Sequence, residues 1–259
     1  NATDGDDGDI EIANIGDSGG VGVSGTASIG NSDTAELKLD GTIYSTGGTT
    51  IYESATGGNI KVTGVNVTVS TTAANLTFDN GDLVLSADGT TTISTGGTGG
   101  NIQIDGKIDG TTGTGNGSEA LVLSSGTGTT TVDGAIGSGT ALTTITIGSA
   151  GTGAIELDDI GDSTGVGASG AVAVGNTATA TLTLDGTVYS TDSTQTYVAK
   201  AGQNIDITDA STFTTTNDAV EFSTAGVDLI NGNAGGAHTV TVNTGTGAGD
   251  VTFGAAIET

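Results

Sequence analysis

The chain has 259 residues, with 30 acidic side chains against four lysines, no arginine, and a formal net charge of −26. Nothing in it can neutralise phosphates, which excludes nucleic acid as a partner and disfavours anionic membrane surfaces. No apolar run approaches the roughly 18 residues of a membrane helix, so no membrane span is expected.

The chain opens on an acidic tail, "DGDDGD", with Asp4, Asp6, Asp7 and Asp9. Short alternating strands then follow, each running into a Gly, Asp or Asn turn. They are "IEI" at 10, "LKLDGTI" at 37, "IKV" at 60, "LVL" at 83, "IQIDGKI" at 102 and "TTVDGAI" at 130. The series continues with "IELDDI" at 155, "LTLDGTV" at 182, "IDI" at 205, "VDLI" at 227 and "VTFGAAI" at 251. The starts recur at a near-constant step, and a period of roughly 24 residues indicates a solenoid.

Each segment alternates apolar residues with Thr, Ser, Asn or Asp, so one side chain points in and the next out. Val, Ile and Thr suit pleated strands, and Gly, Asn and Asp suit tight corners. No segment carries the i, i+3, i+4 pattern of a helix. Proline is absent, so no rung gives up a ladder hydrogen bond. The expected fold is all-β: a single-stranded right-handed parallel β-helix, or β-solenoid, of about eleven rungs of roughly 24 residues. At about 4.8 Å per rung this is a rod roughly 50 Å long, with a narrow core kept thin by inward Ala and Gly. A string of immunoglobulin-like sandwiches would need longer units and core aromatics, and the chain has four Tyr and four Phe. A membrane barrel would need aromatic girdles that this composition does not supply.

A longer repeat overlies the short one. "IGDSGGVGVSGTASIGNSDTAELKLDGTIYST" (15–46) aligns with "IGDSTGVGASGAVAVGNTATATLTLDGTVYST" (160–191) at a constant offset of 145 residues. "GGNIKVTG" (57–64) then meets "GQNIDITD" (202–209), and after a slight slip "GNIQIDGKID" (100–109) meets "GDVTFGAAIE" (249–258). The chain therefore reads as one continuous solenoid, 1–259, containing a copy at 10–154 and an incomplete copy at 155–259. It starts in mid-repeat without methionine, as expected of a processed protein or part of a longer one. The lack of Cys, together with high Thr, Gly, Ala and Asp, fits a secreted chain that avoids oxidation-sensitive residues.

Several motifs dissolve into the repeat. "GDSGG" (16–20) matches the surroundings of a serine-protease nucleophile, but the single histidine, His238, lies far downstream and in the wrong order. "GVGVSG" (20–25) and "GVGASG" (165–170) match a dinucleotide fingerprint, yet an alternating strand follows where a helix would have to start. His238 sits in a polar turn without partner ligands. The paired Tyr44/Tyr189 and Tyr52/Tyr197 read as packing on a rung edge, with a carbohydrate-stacking platform as the alternative. Asn-x-Ser/Thr sites at Asn1, Asn66, Asn75 and Asn116 matter only in a glycosylating host.

The acidic clusters are the candidate metal sites. Asp4 and Asp6 in the tail, and Asp158, Asp159 and Asp162 opening the second copy, offer hard oxygen ligands that suit Ca2+. Asp133, Asp158 and Asp185 follow strands on successive rungs and are expected to stack. The first copy has Ala13 and Asn14 in place of Asp158 and Asp159, which argues for a solvated acidic face instead. No cofactor is required. A β-helical polysaccharide lyase would use a basic residue, and there is no arginine. A hydrolase would need two facing carboxylates, and near-duplication of the halves argues against one specialised site.

The "xLxLDGTI / IxIDGxI" rungs, the Gly/Thr/Ser/Asn/Asp bias and the lack of Cys and Pro resemble the repeat regions of large secreted bacterial surface proteins. These are the filamentous-haemagglutinin-like adhesins and autotransporter-type β-strand-repeat proteins. The resemblance covers nearly the whole chain and implies a parallel β-helix, export to the cell surface, and a role in adhesion or an extracellular fibre. No functional residue carries over from it. The expected partners are copies of the chain itself, stacking through open strand edges, and cell-surface glycan or other cells. An adhesin stalk that does not polymerise and a surface-layer lattice are the competing expectations.

Overall fold

The computed structural model describes residues 8–258 except 87, 112–117, 149, 204, 224–226, 229–238 and 255–256. The described residues contain strands and turns and no helix. Every paired strand is parallel to its partner, and the chain coils through three faces in turn. The first face begins with Ile10–Ile12, Glu36–Leu39, Asn59–Val62, Asp82–Leu85 and Ile108–Asp109. Single bridges Ile108–Ile136, Ile136–Ile160 and Ile160–Tyr189 carry it on to the strands Val188–Thr191, Thr212–Thr215 and Thr241–Asn243. The second face is a nine-stranded ladder from Ile43–Thr46 to Val251–Phe253, and the third an eight-stranded ladder from Ala27–Gly30 to Ile205–Ile207. A separate pair joins Val227–Asp228 to Ile257–Glu258. The expected parallel β-solenoid is therefore the fold.

The count of eleven rungs is not observed. The strands at 10, 37, 60 and 83 do stack on the first face. Those at 102, 130, 155, 182 and 205 stack on the third face instead. The short step from Leu83 to Ile102 is thus two faces of one coil, not a whole coil. The step from 227 to 251 changes ladder as well, because Val251 lies on the second face. Among the described residues the second and third faces hold nine and eight strands, and the first holds eight strands and two single-bridge levels, so the coils number fewer than eleven.

The 145-residue copies are out of phase with the coil. Ile10–Ile12 lies on the first face, and its counterpart Ile155–Leu157 on the third. Ile43–Thr46 lies on the second and Val188–Thr191 on the first, while Ala27–Gly30 lies on the third and Val172–Gly175 on the second. The third-face partners Ala27, Thr50, Leu76, Ile102, Thr130 and Ile155 mark five coils. Ile10 stands two faces before Ala27, so one copy fills five and two-thirds coils. At 145 residues per copy, a coil takes about 26 residues. The second copy is turned by one face and lies roughly 27 Å along the rod at about 4.8 Å per coil.

The core forms because alternation sends one apolar residue per step inwards. Leu37, Ile60 and Leu83 stack one above another with no exposed surface. Full burial of each such side chain contributes about 1.5–3 kcal/mol. The core is not restricted to small residues. All four tyrosines and Phe78, Phe213 and Phe222 are fully buried. Tyr189 stacks on Phe213 at 4.7 Å, and Tyr197, Phe222 and Phe253 form a second stack at 5.4 and 5.2 Å. The two stacks meet edge to face, as between Phe213 and Phe222 at 5.1 Å. A tyrosine sugar platform is ruled out by this burial, and so is a place on the rung edge.

Corners are closed by polar groups at the strand ends. After second-face strands an inward Thr or Ser hydroxyl donates to the loop that follows: Thr95 to Gly100 O at 2.7 Å and Ser125 to Gly128 O at 2.7 Å. Gly30 and Gly175 end matching strands with φ of 80° and 77°. A Cβ at either would stand 2.0 Å from the carbonyl oxygen of Glu53 or Val198 in the next coil. Only glycine fits there.

Candidate functional site

The register gathers acidic residues into one column. Glu53 is paired with Asp79 across the third face. Asp105, Asp133, Asp158 and Asp185 each follow the next strand, and their backbone N–H groups donate to Phe78, Ile104, Val132 and Leu157 respectively. Six carboxylates therefore stand one per coil, extending the expected stack of Asp133, Asp158 and Asp185. Burial first, and then the hydrogen bond and charge of Asp105, raise the Asp79 carboxyl above its ordinary value. Asp158 is raised by burial and by the charges of Asp159 and Asp133. Asp185 is raised by burial and by Glu156, Asp158 and Asp133. The Gln103 amide relieves the column at one point, its Nε2 donating to Asp105 Oδ1 and Asp133 Oδ2 at 2.8 Å each.

Of the residues expected to hold a metal, Asp4 and Asp6 lie outside the described residues. Asp158, Asp159 and Asp162 come together along one open cavity of about 500 Å³, with Asp133, Lys107 and Ser138. Two of the three are committed to turns. Asp159 Oδ1 accepts the N–H groups of Thr187 and Val188 at 2.6 and 2.8 Å. Asn14 Oδ1 does the same for Thr42 and Ile43 at 2.9 Å each in the first copy. Asp162 Oδ1 accepts from Thr164 N at 2.6 Å and Gly165 N at 2.7 Å. These turn N–H groups and the Thr164 hydroxyl hold the Asp162 carboxyl below its ordinary value, with a smaller effect from Lys107. Among the described residues, no three of His, Asp and Glu converge in a group that could hold a metal ion.

The repeated "IGDS" stretch is this same turn. Asp17 Oδ1 accepts Gly19 N at 2.7 Å, and Ser18 and Ser163 are exposed. His238 lies outside the described residues. The glycine motifs at 20–25 and 165–170 run into the strands Ala27–Gly30 and Val172–Gly175, as their alternation predicts.

A second feature was not read from the sequence. The turn Asp162–Val166 borders an open groove of about 400 Å³ on the outer surface of the first face, lined also by Val188, Ser190, Thr212 and Thr214. Its signal lies in the long repeat, where outward residues carry no packing duty yet recur. Ile43 and Ser45 pair with Thr68 and Ser70, as Val188 and Ser190 pair with Thr212 and Thr214. Ser190 was unremarkable in one dimension because the turn that shares its groove belongs to the preceding coil. No family model matches this chain, and neither does any curated protein or solved structure.

Proposed function

We propose that the chain is a non-enzymatic structural segment of an extracellular or cell-surface fibre, continued by end-to-end stacking of β-coils. The observation that carries this reading is the state of the outermost coils. Ile10, Ile12, Ile15 and Ile29 at one end, and Val240, Val242 and Phe253 at the other, are only partly buried. Val251 is 42 % exposed. Their counterparts within the rod, such as Leu37, Leu83 and Phe222, are fully covered. A further coil in register would bury these residues and pair the strand edges that have no partner among the described residues. A head-to-tail contact of this kind is heterologous and propagates without closing. Further coils of a longer chain would cover the same surfaces, and that arrangement gives a stalk instead.

The charge fits a fibre whose rods repel sideways and join only at their ends. Calcium enters this reading as a bridge between acidic columns on neighbouring rods, not as a caged ion. Negative-stain microscopy of the purified chain, with EDTA and with millimolar calcium, is the test. Thin fibres of one rod's width are expected, bundled by calcium, and Val251→Lys is expected to shorten them without changing the β-type circular dichroism. Isolated rods at all concentrations would establish the non-polymerising stalk, and a two-dimensional lattice a surface layer. Release of reducing ends or unsaturated products from polysaccharides would overturn the non-enzymatic reading.

A further inference from the structure

Ser190 is 8 % exposed; its hydroxyl is not among the buried unpaired side-chain atoms and opens to the groove, where it makes no hydrogen bond to the described residues. Thr212 and Thr214, one coil on in the same groove, likewise make no side-chain hydrogen bond among the described residues. Three hydroxyls, each able to donate and to accept, therefore face one space of about 400 Å³. That volume falls within the range of about 300–1,000 Å³ usual for small-ligand sites.

The remaining lining narrows the chemistry. Val166 and Val188 supply C–H surface on two sides. No lysine lines the groove, and its one carboxylate, Asp162, already accepts two backbone N–H groups through Oδ1. In a chain of net charge −26 an anionic ligand is repelled, and a single partly committed carboxylate gives a cation little to hold. What fits is an uncharged molecule that alternates hydroxyls with C–H faces. We propose that this groove binds a short neutral glycan chain, and that Asp17, Val21, Ile43, Ser45, Thr68 and Ser70 form a second such groove in the first copy.

The face rotation fixes how the two sites are displayed. The first-copy strands Ile43–Thr46 and Thr68–Thr71 lie on the second face, and the groove of the second copy lies on the first. They point a third of a turn apart and stand roughly 27 Å apart along the rod. No short ligand spans both, so the two sites bind independently. This inference does not rest on the fibre reading, since a monomeric rod would carry both grooves.

The test uses the whole chain and a panel of short malto-, cello-, manno- and chito-oligosaccharides, followed by saturation-transfer NMR and calorimetry. Saturable binding of at least one neutral oligosaccharide, with two equivalents per chain, is expected. Ser190→Ala with Thr214→Val is expected to weaken one site by about tenfold or more, the equivalent of about 1.4 kcal/mol or more, and to halve the measured stoichiometry. Ser45→Ala with Ser70→Ala removes the other, and the quadruple variant binds nothing. An unchanged unfolding midpoint in each variant shows that the rod is intact. Absence of binding across the panel, preference for an acidic oligosaccharide, or wild-type binding by the quadruple variant would each overturn the proposal.

Discussion

Tyr44 and Tyr189 occupy the same place in the two copies and make the same bonds. Tyr44 Oη accepts from Gly41 N at 2.6 Å and donates to Ile12 O at 2.7 Å. Tyr189 Oη accepts from Gly186 N at 2.9 Å and donates to Leu157 O at 3.3 Å. Their neighbours differ. Tyr44 is paired in register with Val69 and Tyr189 with Phe213, and Phe78 is followed by Ile104 where Phe222 is followed by Phe253. The outer columns diverge too. Glu11, Lys38 and Lys61 stack with ion pairs of 3.1 Å (Lys38–Glu11) and 2.7 Å (Lys61–Glu36), whereas the second copy has Glu156, Thr183 and Asp206. The copies thus agree at corners and differ along faces. A corner needs particular donors, acceptors and φ values, while a face needs only an inward apolar residue of tolerable size.

If the second copy depends on its aromatic stacks, core truncation should separate the copies most. Phe213→Ala is expected to destabilise by about 3–5 kcal/mol through lost transfer energy and a cavity. Val69→Ala, at the equivalent position, removes fewer buried carbons and should cost less. Urea midpoints measure both, and equal losses would show that the stacks add nothing.

The shared tyrosine bonds make the opposite forecast. Tyr44→Phe and Tyr189→Phe each leave a buried N–H, of Gly41 or Gly186, without its partner, at about 1–3 kcal/mol apiece, while Ile12 O and Leu157 O keep the N–H groups of Asp40 and Asp185. The two losses should be similar. A silent Tyr189→Phe would mean that its bonds to Gly186 N and Leu157 O carry no weight and that the corners are not equivalent after all.

The smallest effect is the pH response of the acidic column, which spans both copies. Asp79, Asp158 and Asp185 have folded-state values above their ordinary ones. The folded rod therefore holds protons that the unfolded chain has released, and these groups make stability rise as pH falls. The gain begins as pH drops through the raised folded values and is complete at the ordinary carboxylate value. Asp40 and Asp162, both held low, act in the other direction and lose their contribution at still lower pH. Thermal midpoints are expected to climb on mild acidification from neutrality. Asp185→Asn with Asp79→Asn should flatten the climb, and a midpoint that falls over the same range would refute the column.

Much of the architecture was legible one residue at a time. The alternation in "IQIDGKI" placed Ile102 and Ile104 inside, and the Asp-Gly pairs marked corners, because strand geometry and turn chemistry are local. The stack of Asp133, Asp158 and Asp185 was readable because all three follow strands at near-coil spacing. The tyrosines were misplaced for a non-local reason. Whether an aromatic fits inside depends on what the coils above and below present, and Phe78, Phe213 and Phe222 make room for the rings.

By itself the sequence determined the strand type and the parallel coil, since both follow from short-range pattern, and the 145-residue duplication, since two distant stretches align residue by residue. Only the tertiary structure decided which face each strand joins, that the second copy is turned by a third of a coil, and that a turn of the preceding coil shares a groove with Ser190. Loop lengths vary from coil to coil, and their sum sets the phase. No local residue pattern records that sum, and only stacked neighbours reveal it.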